Sequence, residues 1–380
     1  MSAGDREVFV DFYDYRNLGD DLLFATLVRR YPHVRFVFIE DQTDGSAFAG
    51  LPNVRRQRKV RYVDGILGRL RIPFRVNALR RSRLVARSPY VVRLGGSLYM
   101  ERGEWRRNAA RDAALLRSRG GALFLNGNFG PWQSPEFLAT YEDIFSRALD
   151  VTVRDSASRD ELRAVDQVRL APDLLFSLAL PGPAGTGAQG SVPTQEAGGD
   201  VVVSMVDLTG RDGLSAHRQA YESGIAELVD DLVVRGGRRV TLMSFCPMEG
   251  DEAVIERVLA LLPAAVRSSV GTHFYRGDLD AALGVLRRAQ TVVATRFHAM
   301  VLGLAFGARV CSIEYSNKVT NTLLDLGIAD RGWKLAEFAD ASREERYARI
   351  GALEGLDPLP VGRSAEAHFA VLDELLGAPA

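Results

Sequence analysis

Cysteine is scarce: Cys246 and Cys311 are the two in 380 residues, too few for a disulfide framework. Both fall in apolar, strand-like runs, which suits reduced thiols in the core of a cytosolic protein. Lysine is nearly as rare, since Lys59, Lys318 and Lys334 are the three among 48 basic residues. Those 48 are balanced by 48 acidic residues, so the overall charge gives no reason for a polyanionic partner. No uncharged run reaches the roughly 20 residues that span a bilayer. The N-terminal MSAGDREVFVDF lacks the cationic and then apolar plan of a secretion signal, so a cytoplasmic location is expected. The three spaced glycines of the dinucleotide fingerprint, a P-loop and a nucleophile elbow are all missing. No His/Cys cluster or set of paired carboxylates has metal-ligand spacing, so neither a metal site nor a cofactor is expected.

What is present is a globular composition, 47% hydrophobic and 25% charged, in a chain long enough for two domains. Short apolar runs alternate with amphipathic helical stretches throughout. Strands are expected at Val8–Tyr13, Val34–Ile39, Tyr90–Leu94, Ala122–Leu125 and Val151–Val153. A second series follows at Val201–Val206, Arg239–Phe245, His273–Tyr275, Thr291–Ala294 and Val310–Tyr315. Near-continuous apolar strands separated by helices predict parallel sheets covered on both faces. Residues 181 to 199, PGPAGTGAQGSVPTQEAGG, read as a flexible linker. The expectation is therefore an α/β protein of two Rossmann-like domains, 1–180 and 200–380, facing across a cleft. The amphipathic stretch from Ser364 to Leu376 is placed to pack back on the first domain.

Ligands of open α/β sheets bind at the carboxyl ends of the strands, and the polar candidates sit there. After the first strand, Asn17, Leu18 and Gly19 make a turn and Asp20 is placed to cap a helix. Its free N–H groups would favour an anion or a hydroxyl. Gly95 and Gly96 follow another strand, and Asn128 follows a third, with glycines giving room and Asn able to bond sugar hydroxyls. Arg154 ends a strand beside Asp155, either as an ion-pair partner of that residue or as a ligand contact. In TVVATRFHAM, Arg296 and His298 stand where an apolar strand meets an apolar helix. A guanidinium there offers a bidentate fork to a carboxylate or phosphate. A helix N-terminus favours the neutral imidazole, which can act as a general base. Tyr315 and Lys318 follow the next strand; Lys318 either adds a point charge or neutralises Glu314. The basic amphipathic stretch 66–89 could lie on an anionic membrane surface or be a solvated helix. No aromatic stacking platform accompanies its arginines, so nucleic acid is not expected.

These elements, in order, resemble the polysaccharide pyruvyl transferase family. They are Asn17-Leu18-Gly19-Asp20, Gly95-Gly96, Gly130-Pro131, Arg154-Asp155 with Ser158, Pro172-Asp173, Arg296-Phe297-His298-Ala299 and the Tyr315–Lys318 pair. The resemblance implies a GT-B-like fold and transfer of a pyruvyl group from phosphoenolpyruvate to two hydroxyls of a sugar, forming a cyclic ketal and releasing phosphate. It points to Arg296 and His298 as donor-site residues, joined by Arg154. The acceptor would be a sugar or a lipid-linked oligosaccharide. Asp20 would orient acceptor hydroxyls or carry a second proton. The same architecture would also serve a glycosyltransferase that uses a nucleotide sugar, or a silent glycan-binding relative.

Overall fold

The computed structural model describes residues 7–40, 46–58, 76–181 and 199–378. Two sheets form, each entirely parallel. The first is built from β1 (Glu7–Asp11), β2 (Arg35–Glu40), β3 (Val54–Arg58), β4 (Tyr90–Leu94), β5 (Ala122–Gly127), β6 (Asp150–Val153) and β7 (Val168–Leu170). Its strand order is β3-β2-β1-β4-β5-β6-β7. The second comprises β8 (Asp200–Ser204), β9 (Arg239–Ser244), β10 (Gly271–Phe274), β11 (Ala289–Ala294), β12 (Arg309–Glu314) and β13 (Gly332–Lys334). Its order, β10-β9-β8-β11-β12-β13, is the doubly wound Rossmann arrangement, and the first sheet repeats it with one strand added. Every inter-strand pairing is parallel, as runs such as VVV and ALFL, apolar on both faces, require.

The chain separates into two compact units. One comprises Met1–Tyr15, Asp20–Leu174 and Glu366–Ala380; the other comprises Arg16–Gly19 and Leu175–Ala365. The first unit buries an aromatic core in which Tyr99, Phe124, Tyr141 and Phe145 meet at 5.1–6.5 Å between ring centroids. Its C-terminal segment docks through buried Phe369 and Leu372. Arg30, at the end of the helix Leu18–Arg30, bonds Asp373 and Glu366 and covers the Phe369 ring. In the second unit, side chains of β8, β9, β11 and β12 pack with Tyr221, Ile225 and Trp333.

Three strands lie outside the sequence expectation: β3, β7 and β13. Each is at the edge of its sheet. β3 reads VRRQR, with an exposed arginine pattern in place of an apolar run, as edge strands tolerate. The helix after β1 starts at Leu18 with Asn17 as its cap: Asn17 Oδ1 accepts from the Gly19 N–H at 3.0 Å. Asp20, expected as the cap, is the third residue of the helix, within its first turn. Residues 182–198 of the expected linker and 66–75 of the basic stretch lie outside the described residues.

Candidate functional site

In the second unit the carboxyl ends of the four central strands carry polar side chains into one cluster. Arg211 comes from the loop after β8, and Cys246, Glu249 and Asp251 follow β9. Arg296 and His298 follow β11, while Tyr315 and Lys318 follow β12. β8 lies between β9 and β11, where the strand order reverses, the place at which a doubly wound sheet opens for ligand. The Thr295 N–H donates to the Ser204 carbonyl at 3.1 Å, tying the end of β11 to β8. Thr295 also shares a hydroxyl hydrogen bond of 2.8 Å with Tyr221.

Arg296 is 7% exposed. Its Nε donates to both Asp251 carboxylate oxygens at 3.1 Å, its Nη2 donates to Asp251, and its Nη1 donates to Glu249 at 2.5 Å. Burial works against its charge, but the two carboxylates outweigh it and hold the proton more tightly than usual. Three of its five N–H groups are thereby engaged. Arg211 donates to Glu249 at 3.3 Å, and its guanidinium lies 5.8 Å from the Tyr315 ring centroid. Lys318 Nζ lies 5.5 Å from the Phe297 ring centroid and 5.9 Å from that of Tyr315. Burial raises the Tyr315 phenol, but Lys318, Arg296 and Arg211 more than reverse this and leave it below its ordinary value. Cys246 is inert as a nucleophile, because burial pushes its thiol up to about 12.

His298 is the second residue of the helix Phe297–Ala305, whose body is buried. Its half-buried imidazole stands against the Gly19 backbone: a Cβ built on Gly19 would come within 1.7 Å of His298 Nδ1. The Leu18 N–H donates to the Phe245 carbonyl at 2.9 Å, fixing Arg16–Gly19 onto the loop after β9. The room expected for a ligand at Gly19 is thus occupied by the His298 ring.

In the first unit Arg154 has the same relation to Gly96. A Cβ on Gly96 would lie 2.3 Å from Arg154 Nη2. The Arg154 side chain, 1% exposed, donates from Nη1 to Asp173 at 2.6 Å and from Nε to Asn128 Oδ1 at 2.6 Å. Asp173 also accepts from Asn126, and Asn128 donates to Asp155, whose other oxygen caps the next helix at the Ser158 N–H. Arg154 is thus bonded by Asp173 and Asn128, and both ends of the Asn128 amide are used inside the protein. Gly95 has the positive φ of 147° that makes this turn.

The structure thus gathers Asn17, Gly19, Arg296, His298, Tyr315 and Lys318 in the second unit, and Gly95, Gly96, Asn128 and Arg154 in the first. Asp20, half-buried, groups with the first. Glu314 is bonded by Thr320 and by Lys334 at 2.6 Å. Arg211, Glu249 and Asp251 were not singled out from the sequence. A signal for them exists: TGRDG and CPMEGD are glycine-bearing turns after apolar strands, like those at Gly19 and Gly95-Gly96. Among the described residues no group of three or more His, Cys, Asp or Glu is placed to hold a metal ion. No helix there is long and apolar enough to cross a membrane.

Two Rossmann-like sheets in one chain, with polar side chains at the strand ends, define an α/β protein of the GT-B-like class. Solved structures of this class share the fold along nearly the whole chain. The S. aureus MnaA–UDP co-structure matches with a TM-score of 0.61 at 9% identity, over 98% of this chain and 97% of that one. Anabaena Alr3699/HepE in complex with UDP and glucose matches at 0.55 and 12%, over 98% and 99%. UDP-GlcNAc 2-epimerase from Neisseria meningitidis, bound to UDP-GlcNAc, matches at 0.53 and 10%, over 97% and 98%. At such identities the likeness is one of fold alone. None of the curated proteins matches in sequence. Residues 17–317 match the polysaccharide pyruvyl transferase family, and the chain belongs to that family of transferases.

Proposed function

We propose that the protein transfers a pyruvyl group from phosphoenolpyruvate to two hydroxyls of one sugar in a cell-surface glycan or its precursor. The observation that carries this reading is the cluster in the second unit. Three cations, Arg211, Arg296 and Lys318, stand at the carboxyl ends of neighbouring strands, and the half-buried His298 follows Arg296 in the first turn of the next helix. Such a place suits a small ligand bearing a carboxylate and a phosphate.

The chemistry follows from the donor. One sugar hydroxyl adds across the enol double bond: its oxygen bonds carbon 2 and a proton goes to the methylene, which becomes a methyl group. A second hydroxyl on the same sugar then replaces the phosphate, which departs with the bridging oxygen and takes up the proton released. No electrons are gained or lost, so the balance calls for no redox cofactor. Carbon 2 carries oxocarbenium character in both steps, and fixed charges and positioning lower the barrier. His298 takes the hydroxyl proton and passes it to the leaving phosphate. Arg296 and Lys318 bind the donor, with the Tyr315 ring beside Lys318 and Arg211. Arg154, expected to join the donor site, is instead held inside the first unit by Asp173 and Asn128 and supports the turn at Gly96; Asp20 orients acceptor hydroxyls or carries the second proton.

The protein works in the cytoplasm on a sugar or lipid-linked oligosaccharide. The helix Val76–Arg87, with Arg83 and Arg87 exposed, touches the anionic inner membrane surface from the basic stretch 66–89. The test is mass spectrometry of the producing cell's surface glycans. With the wild-type chain they carry a pyruvyl ketal; with His298→Ala, folded to the same melting temperature, they carry none. Unchanged pyruvyl content after removal of the chain would overturn the reading.

A further inference from the structure

Arg296 is held by two carboxylates of different standing. Asp251 is fully buried, and its Oδ2 also accepts the Phe245 and Cys246 N–H groups at 2.8 and 2.9 Å. It could not leave without orphaning two buried amides. Glu249 ends the short turn Pro247–Glu249, next to Gly250 in left-handed backbone at φ 82°, and its side chain is 31% exposed. Among the described residues its carboxylate makes two hydrogen bonds, both at Oε2, from Arg296 Nη1 and Arg211 Nη2. Met248 beside it is exposed, so this turn has little packing to lose when it shifts. Two guanidiniums on different loops therefore converge on a single carboxylate oxygen that is weakly anchored and reaches solvent.

We propose that Arg211 and Arg296 form a carboxylate-binding pair, that Glu249 occupies it in the unliganded protein, and that the carboxylate of the donor substrate displaces Glu249 and takes its place. This rests on the phosphoenolpyruvate reading above and adds Arg211 as a binding residue and Glu249 as its internal competitor. Asp251 keeps Arg296 in position during the exchange, because it holds Nε and Nη2 while Nη1 changes partner. Arg211 is steered from the other side: its Nε donates to the Asp207 carbonyl at 2.7 Å. Without Glu249 the two guanidiniums would repel each other at short range, so the competitor also keeps the empty pair assembled. The exchange selects ligands with a carboxylate that can accept from both arginines.

The test is calorimetric titration of phosphoenolpyruvate into the full-length protein and three variants, with melting temperatures recorded for each. Glu249→Gln keeps the shape and removes the charge, and Glu249→Ala removes both. Each should bind about tenfold more tightly than wild type, the scale of one charge-assisted hydrogen bond no longer given up on binding. Arg211→Gln should bind about tenfold more weakly. If the Glu249 variants bind with unchanged or lower affinity while the wild type binds, the displacement is wrong and the donor reading survives. If neither wild type nor any variant binds phosphoenolpyruvate, the donor reading fails and takes this inference with it.

Discussion

A methyl group added at Gly19 would stand 1.7 Å from His298 Nδ1, and one added at Gly96 would stand 2.3 Å from Arg154 Nη2. Two glycines that follow neighbouring strands of the first sheet, β1 and β4, thus do the same thing: each leaves out a side chain so that a polar residue from elsewhere can lie against the backbone. The two substitutions have different expected outcomes. Gly19→Ala pushes a half-buried imidazole aside, so turnover should fall by about two orders of magnitude (each factor of ten being about 1.4 kcal/mol of barrier), with little change in melting temperature. Gly96→Ala presses on a buried guanidinium that is fixed by Asp173 and Asn128 and has no room to yield. It should destabilise the fold by about 1–3 kcal/mol, the usual effect of overpacking a core, read as a lower urea midpoint. A Gly19→Ala variant with full turnover would show that the His298 ring does not need this position. The sequence made Gly19, Gly96, Arg154 and His298 visible as strand-end residues. It could not show that they meet in pairs, since contacts between residues 19 and 298 depend on the finished fold.

At the scale of elements, the C-terminal segment Glu366–Leu376 is held to the first unit by polar bonds under a buried ring. His368 Nε2 donates to the Pro172 carbonyl at 2.7 Å, which leaves Nδ1 to accept from the Thr152 hydroxyl at 2.7 Å. Thr152 Oγ1 in turn accepts from the Asn126 N–H, and Asn126 bonds Asp173, the partner of Arg154. Burial pushes the His368 pKa down to about 4. Between its ordinary value near 6.5 and about 4, the unfolded chain holds a proton on this ring that the folded chain does not. The stability from the neutral ring is complete above about 6.5 and is lost as the pH falls through that window, by up to about 3 kcal/mol. Thermal melts from pH 7 to 4 should show this loss in the wild type and a shallower slope in His368→Gln; parallel slopes would contradict it. The central strands were legible because burial on both faces writes itself as an apolar run. β3, β7 and β13 were not, because a sheet edge needs no such run and β3 spends its positions on Arg55, Arg56 and Arg58. The capping of the first helix by Asn17 was missed because Asp20 is an equally good cap by residue type alone.

For the whole molecule, the two sheets share the strand order 3-2-1-4-5-6, the first with a seventh strand, and membership of the polysaccharide pyruvyl transferase family covers residues 17–317. Parallel sheets in two Rossmann-like domains were expected from the alternation of strands and helices, whereas the strand order is seen in the fold alone. The identity of the carboxylates around Arg296 was not legible: Glu249 and Asp251 lie about 45 residues earlier, in a loop whose neighbours are set by the adjacency of β9, β8 and β11. The central claim is that phosphoenolpyruvate lies over the carboxyl ends of β8, β9, β11 and β12. Amide hydrogen exchange of the full-length protein, with and without saturating phosphoenolpyruvate, tests it most directly. The account predicts slowed exchange in residues 205–214, 245–251, 295–300 and 315–320; exchange unchanged in those four segments would contradict it.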